Sequence, residues 1–261
     1  MIQCLVSRLR WQYNMFNFFN QTPEINFECD NWAVRKYAAI QPAAHFLPER
    51  FKNLPSFVNK QEHLIDSIKT VRACPGIKDY LSLGYVIPAW CDMEFTPKGD
   101  NIYGRYSDPN YNNAIHSKEQ IGNFLEKKYR VRTPLKLDNP WRTWTKKGWS
   151  ILYLPMFYHE DVNFEAMPGI IDHDLGALHS PINVMLKENE YTFIKQGQPL
   201  VQMIPIKRDP ITLRTRDASE TAWKRNLAIT SLHKMSFKGW IKYVKEKKIY
   251  KVKHEDLDLP E

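Results

Sequence analysis

The sequence lacks the short glycine-rich signatures with which many enzymes hold phosphate groups. Glycine supplies only ten of the 261 residues, and neither GxxxxGK[ST] nor GxGxxG occurs, so no motif indicates a P-loop or a Rossmann nucleotide site. The motifs GxSxG and HExxH are missing as well, which leaves no motif evidence for an α/β-hydrolase or a zinc protease. The sequence therefore predicts no cofactor.

Long apolar runs and closely spaced cysteines are also missing. No apolar run approaches the roughly 18 residues that a membrane-spanning helix needs, so no membrane span is predicted. Cys4, Cys29, Cys74 and Cys91 are too far apart to form a CxxC pair, which argues against a zinc ribbon or a thioredoxin-like site. The first residues contain no small-residue cleavage site of a signal peptide. We therefore expect ordinary buried thiols in a reducing compartment.

The residues that are abundant indicate a packed, strand-rich protein. Hydrophobic residues make up 43% of the chain and aromatic residues 13%, which is typical of a globular fold. We predict a mainly β (α+β) fold with a barrel-like or sandwich-like core over residues 1–210 and a helical appendage over 211–261. The first 60 residues, rich in Asn, Pro and aromatics, are expected to be irregular and wrapped. Short helices are predicted at 61–71, 77–83 and 118–127.

Alternating apolar residues bounded by turn residues predict the strands. The last three strands are separated by short turns at 188–190 and 196–199, and Gly197 suits a positive φ in the second turn. Since short turns join antiparallel neighbours, these three strands are predicted to form a meander. The predicted strands are 85–87, 90–95, 101–106, 149–153, 182–187, 191–195 and 200–206.

The positive charge is concentrated near the carboxyl end. The formal net charge is +8, and the segment from Arg214 to Lys253, here called the basic tail, holds twelve Lys or Arg residues against three acidic residues. Its helical pattern places apolar residues on one stripe and Lys238, Lys242 and Lys245 off that stripe. These lysines are candidates for contact with nucleic acid phosphates or with an acidic protein surface, although a lysine-rich face is most often simply solvated.

A group of histidines and carboxylates marks a second candidate site. His159 and Asp161 have the HxD form that opens the two-His, one-carboxylate triad of non-haem iron enzymes, with His179 or His233 as the distal ligand. Because the form is only three residues long, polar loop residues and hydrogen-bonded histidines remain the simpler interpretation of His159, Asp161 and His179.

Residues 168–206 contain two short patterned elements. Gly169, Ile171 and Asp172 form the first, and Gly197, Leu200 and Gln202 form the second. With these residues the segment resembles the β-clip fold of deoxyuridine triphosphatases and dCTP deaminases. That resemblance implies a β-clip core, an oligomer, and a role for Asp172 in holding a sugar and orienting the attacking water. The Gly-Arg-Ser-Gly phosphate loop of that family has no counterpart near 152–155, and the closing glycine-rich arm is missing.

A second resemblance rests on segments spread along the chain, at 45–55, 73–95, 168–174 and 193–209. Through these segments the chain is similar to a family of proteins encoded by tailed bacteriophages. It implies a viral origin, in the host cytoplasm or the virion, but no particular activity. The first hypothesis is therefore a non-enzymatic virion component or accessory factor that binds a phage or host protein. The alternatives are a dUTPase-like nucleotide hydrolase with Asp172 at its site, and nucleic-acid binding through the basic tail.

Overall fold

A computed structural model describes residues 24–59, 67–98, 101–117, 120, 134–159, 162–176, 178–186, 190–215 and 219–220. The chain divides into two compact units, Met1–Asp209 and Pro210–Glu261. The elements described below belong to the first unit. No helix among the described residues is long and apolar enough to cross a membrane.

Strands dominate the described residues, and the helices are short. The α-helices are α1 (Trp32–Tyr37), α2 (Glu49–Asn53) and α3 (Pro75–Ser82), and 3-10 turns lie at Ala43–Phe46, Val71–Ala73 and His173–Leu175. The strands are β1 (Ile25–Glu28), β2 (Gln41–Pro42), β3 (Phe57–Asn59), β4 (Ser67–Lys69), β5 (Tyr85–Pro88), β6 (Met93–Lys98), β7 (Asn101–Tyr106), β8 (Asn113–Ile115), β9 (Leu135–Leu137), β10 (Arg142–Thr145), β11 (Trp149–Pro155), β12 (Phe164–Ala166), β13 (Gly169–Ile171), β14 (Leu178–His179), β15 (Ile182–Leu186), β16 (Thr192–Ile194) and β17 (Pro199–Lys207). The predicted mainly β fold is confirmed.

The strands form several small sheets, and every pairing among the described residues is antiparallel. The largest sheet has the strand order β13-β11-β17-β5-β2, and a four-stranded sheet has the order β12-β15-β9-β8. Three-stranded sheets have the orders β1-β10-β14 and β16-β6-β7, and β3 pairs with β4. Since neighbours in the largest sheet are far apart in sequence, its assembly depends on long-range contacts.

The central strand of the largest sheet is β17. Five consecutive residues of this strand are buried: Leu200, Val201, Gln202, Met203 and Ile204. The strand is therefore covered on both faces, and its sequence is a continuous run of buried residues instead of an alternation of buried and exposed ones. It pairs with β11 along seven residues, from Trp149 opposite Lys207 to Pro155 opposite Val201. This register places the start of β11 beside the end of β17, where the candidate site lies.

Gln202 connects the largest sheet to α3. Its amide nitrogen Nε2 donates to the carbonyl oxygens of Tyr80 and Leu83, at 3.0 and 2.7 Å. The last carbonyl groups of a helix have no partner within the helix, so a buried side chain from β17 satisfies the carboxyl end of α3. In this structure Gln202 has a structural role.

The predicted meander is wrong. The three strands β15, β16 and β17 are present, but β15 pairs with β12 and β9, β16 pairs with β6, and β17 pairs with β11 and β5. Gly197 does have a positive φ, of 83°. Its turn nevertheless joins β16 and β17, which belong to different sheets. β17 is buried on both faces and lies at the centre of the largest sheet.

Other predicted elements agree with the structure to differing degrees. The helix predicted at 77–83 is α3, and the hairpin of 90–95 with 101–106 is β6 and β7, with β6 extending to Lys98. The helix predicted over 61–71 is wrong in its second half, where 67–69 pair with β3 as β4. The helix at 118–127 and the basic tail, including Lys238, Lys242 and Lys245, lie almost entirely outside the described residues.

The described cysteines hold free thiols. Cys29 and Cys91 are buried, whereas Cys74 is exposed, so the expectation of buried thiols holds for two of these three. Burial raises the pKa of the Cys91 thiol to about 11. This thiol is therefore protonated and a poor nucleophile at neutral pH.

Candidate functional site

Asp172 lies directly after β13, at the start of a 3-10 turn. Its Oδ1 accepts a hydrogen bond from the Ser150 hydroxyl at 2.6 Å, and the Arg208 guanidinium lies 2.8 Å from the same oxygen. Arg208 Nη1 also donates to the Ser150 Oγ at 3.0 Å. The antiparallel register of β11 with β17 brings Ser150 and Arg208 to one end of the sheet. Asp172 is half exposed but is tied into a closed triangle of polar contacts.

Asp174 completes the network from the other side of Arg208. Its Oδ2 accepts a hydrogen bond from Arg208 Nη2 and a second, of 2.8 Å, from the backbone N–H of Gly148. The Arg208 N–H donates in turn to the Gly148 carbonyl at 2.9 Å. The Asp174 side chain is only 4% exposed, against 49% for Asp172. Arg208 therefore bridges one buried and one half-exposed carboxylate, and these contacts fasten the turn to the end of β17.

Both carboxylates are stabilised in their ionised form. Hydrogen bonds from Ser150 and then from Arg208 lower the pKa of Asp172. The pKa of Asp174 is lowered by Arg208 first and by the Gly148 N–H second. A carboxylate whose charge is neutralised in this way is a weaker base than a free one. The geometry at Asp172 therefore suits an ion-pair network better than the activation of a water molecule.

His173, between the two aspartates, points into the core. It is fully buried; Nδ1 lies 3.0 Å from the Thr143 carbonyl oxygen, and Nε2 lies 2.8 Å from the Tyr153 hydroxyl. Because a carbonyl oxygen can only accept, Nδ1 carries the proton and Nε2 accepts from Tyr153. Burial lowers the pKa of His173. The imidazole is thus held neutral between β10 and β11, and it anchors the turn that presents Asp172.

Of the metal ligands predicted from the sequence, the structure describes His159 and His179. No group of three or more His, Cys, Asp or Glu side chains among the described residues could hold a metal ion. His159 lines a cleft beside β12, whereas His179 belongs to β14, with Nδ1 3.2 Å from the Asn139 carbonyl oxygen. Asp161 lies outside the described residues.

Two adjoining cavities form a cleft along the surface, here called the apolar cleft. They measure about 330 and 370 Å³ and share His159, Val162 and Pro199. The first cavity is also lined by Pro155, Met156, Phe157, Phe164, Glu165, Ala166 and Leu200, and the second by Phe46, Leu47, Pro48, Glu49, Arg50, Tyr158 and Gln198. Asp172 lines neither cavity.

Two aromatic rings stand at the border of the apolar cleft. Phe157 is 68% exposed, and its ring packs edge-to-face on Tyr158 at 5.1 Å between centroids. Tyr158 packs in the same manner on Tyr80 of α3, at 5.9 Å. Aromatic side chains are among the residues that most often anchor a bound protein segment in a groove. The sequence did not single out this surface, because its residues come from segments far apart in the chain.

Comparisons with known proteins show a weak likeness of fold. No protein-family model matches the sequence, and no curated protein matches it significantly. The dUTPase from phage phi11 of Staphylococcus aureus is similar with a TM-score of 0.35 and 10% identity, over 76% of this chain and 99% of the dUTPase. A Staphylococcus bacteriophage 80alpha dUTPase is similar with a TM-score of 0.34 and 10% identity, over 76% and 98%. This weak likeness concerns fold alone.

Proposed function

We propose that the protein is a non-enzymatic binding protein of a bacteriophage, either a virion component or an accessory factor in the host cytoplasm. In this proposal the apolar cleft binds an apolar segment of another phage or host protein. The observation that carries it is the exposed Phe157 ring at the border of the cavity of about 330 Å³ in this cleft. Aromatic anchors beside preformed grooves are typical of protein recognition sites.

The surroundings of Asp172 support a role outside catalysis. Its Oδ1 already accepts from Ser150 and contacts Arg208, so the carboxylate stabilises the end of β17 rather than facing either cavity of the apolar cleft. Hydrolysis of a nucleoside triphosphate requires a cradle of cations or backbone amides for the phosphates. The described cation nearest to Asp172 is Arg208, and it is shared between two carboxylates.

Site-specific photo-crosslinking in phage-infected cells tests the binding proposal. A photoreactive phenylalanine at position 157 is expected to crosslink a defined phage or host protein, which mass spectrometry identifies. The matched control places the same residue at Leu175, which is 80% exposed but lies on the turn beside Asp172. No crosslink at 157, or the same products from 157 and 175, would contradict the proposal.

Binding to the identified partner is then measured with purified proteins. Val162 lines both cavities and is partly buried, so Val162→Asp is expected to weaken binding at least tenfold because it places an unpaired charge in the cleft. Mass spectrometry of purified particles separates the two forms of the proposal, since a virion component must be present in complete virions. Release of diphosphate from dUTP by the purified chain would favour the dUTPase-like alternative instead.

A further inference from the structure

The three-stranded sheet β16-β6-β7 has one apolar face and one exposed face. Met93 and Phe95 of β6 and Ile194 of β16 are fully buried. Side chains alternate between the faces of a strand, so the residues between them, Glu94, Thr96 and Phe193, lie on the opposite face. Phe193 is 46% exposed and Thr96 is exposed as well. One face of this sheet therefore packs into the core while the other meets solvent.

The exposed face carries aromatic side chains in adjoining rows. Phe193 pairs with Glu94, which pairs with Arg105 on β7, and Thr96 pairs with Tyr103 in the next row. Tyr191 directly precedes β16 and lies two residues before Phe193, a spacing that corresponds to the same face. Tyr103 and Tyr191 are 59% and 55% exposed. An exposed sheet face with three large aromatic rings is unusual for a surface that contacts only water.

The aromatic rings belong to the two outer strands of this sheet. Neighbouring strands are about 4.8 Å apart, so the backbones that carry Tyr103 on β7 and Phe193 on β16 are about 10 Å apart across β6. The small Thr96 side chain on β6 leaves the surface between these strands open. Exposed aromatic side chains on one sheet face are platforms on which the bases of unpaired strands stack.

The charges of this face complement a phosphate backbone. Arg105 is 86% exposed on its side chain and contacts Glu94 only at 3.9 Å. Lys98 lies on the same side of β6 as Thr96. Lys195 directly follows β16, two residues after Phe193, and both lysines are exposed. Asp92 lies two residues before Glu94 and on the same side of the chain, so these three cations face two carboxylates and the local balance is positive.

We propose that this face, here called the aromatic sheet face, binds single-stranded RNA. Bases stack on Tyr103, Phe193 and Tyr191, and the phosphates contact Arg105 and the neighbouring lysines. The hydroxyl groups of Thr96 and the two tyrosines lie among the stacked bases, where they can hydrogen-bond to ribose 2′-hydroxyls, which DNA lacks. Stacking accepts any base, so the site selects an unpaired strand rather than a sequence. This proposal is independent of the apolar cleft and of the basic tail.

Fluorescence anisotropy with a labelled ten-nucleotide oligouridylate and the full chain tests the proposal. Binding is expected at low salt and is expected to weaken as salt is raised. Tyr103→Ala and Phe193→Ala are each expected to weaken binding about tenfold, since both remove a stacking ring. The matched control is Tyr37→Ala, which removes a 55% exposed ring from α1, and its affinity is expected to equal that of the wild type. Because all three rings are exposed, the variants are expected to fold, and their melting temperatures verify this.

The remaining arms distinguish other occupants of the face. Oligothymidylate of the same length is expected to bind at least threefold more weakly than the RNA, and equal affinity would overturn the assignment to RNA. A variant with Lys238, Lys242 and Lys245 changed to Ala is expected to retain most of the affinity that depends on Tyr103. Loss of binding in that variant alone would assign it to the basic tail and overturn the proposal.

Two further results would also overturn it. One is the absence of RNA binding in the wild type together with dissociation of an oligomer by Tyr103→Ala and Phe193→Ala, which would make the face a contact between copies of the chain. The other is equal weakening by the Tyr37→Ala control. Crosslinking at position 157 is measured on the same variants, so that failure of RNA binding is separated from failure of the proposed protein-binding cleft.

Discussion

The imidazole Nε2 of His173 lies 2.8 Å from the hydroxyl oxygen of Tyr153, and both side chains are buried in the core. Burial is the largest influence on the pKa of His173 and lowers it, whereas the Thr143 carbonyl and the neighbouring Asp172 carboxylate oppose this effect. A protonated His173 would donate at both nitrogens and would place an extra charge in the core. This hydrogen bond therefore makes the fold sensitive to acid.

Replacement of His173 by Gln is expected to reduce the dependence of stability on pH. In the unfolded chain this imidazole titrates near pH 6.5, whereas its folded pKa is lower, so the unfolded state binds more protons below about 6.5. The contribution of His173 is complete above that pH and is lost as the pH falls toward the folded pKa, by at most about 1.4 kcal/mol per pH unit. Denaturant unfolding at pH 7.5, 6.5 and 5.5 should show a flatter profile for His173→Gln. Parallel profiles of the two proteins would contradict the assignment.

Asp174→Asn is expected to lower the melting temperature more than Asp172→Asn. Arg208 contacts both carboxylates, but Asp174 is almost completely buried and also accepts from the Gly148 N–H, whereas Asp172 is half exposed. Both folded pKa values are lowered, so their stabilisation is present above about pH 4 and is lost as the pH falls through the folded values. Melting curves at pH 7 and pH 3 check both statements. An equal decrease in melting temperature for the two substitutions at pH 7 would show that the burial of Asp174 does not make its contacts more stabilising than those of Asp172.

Gln202→Leu is expected to destabilise the protein by about 1–3 kcal/mol. The substitution keeps the size of the side chain approximately but removes the donor to both carbonyl oxygens, which leaves that of Tyr80 with the Leu83 N–H alone. Gln202→Glu should be at least as harmful because a carboxylate cannot donate to a carbonyl. Free energies of unfolding from urea titration measure both variants. A stability within about 0.5 kcal/mol of the wild type would refute the proposed connection between β17 and α3.

Three glycines provide a graded test of backbone constraints. Gly84 has a φ of +73°, and a Cβ there would lie 2.0 Å from the Met203 carbonyl oxygen, so Gly84→Ala should cost at least about 2 kcal/mol. Gly197 has a φ of +83° and open space around it, so Gly197→Ala should cost about 1 kcal/mol. Gly76→Ala, in α3 and without close neighbours, should stabilise the protein by about 0.5 kcal/mol. Any other order of the three unfolding free energies contradicts this interpretation.

Local patterns determined several elements of the fold from the sequence alone. Alternation and turn residues identified the strand class, the hairpin of β6 with β7, and the positive φ of Gly197, because these depend on residues near one another in the chain. The same patterns predicted a helix over 61–71, of which 67–69 form β4 instead, since a short segment accepts whichever partner its tertiary contacts provide.

Pairing between distant segments was decided by the tertiary structure. The sequence showed β15, β16 and β17 as strands, but only the packed core assigns each of them to a different sheet. The sequence also identified Asp172 as a candidate site residue but did not indicate which residues contact it. Ser150 and Arg208 reach it because β11 and β17 pair over seven residues, a register that no short motif encodes. The aromatic sheet face has the same origin, since Tyr103 and Phe193 are 90 positions apart and meet only because β6 lies between their strands.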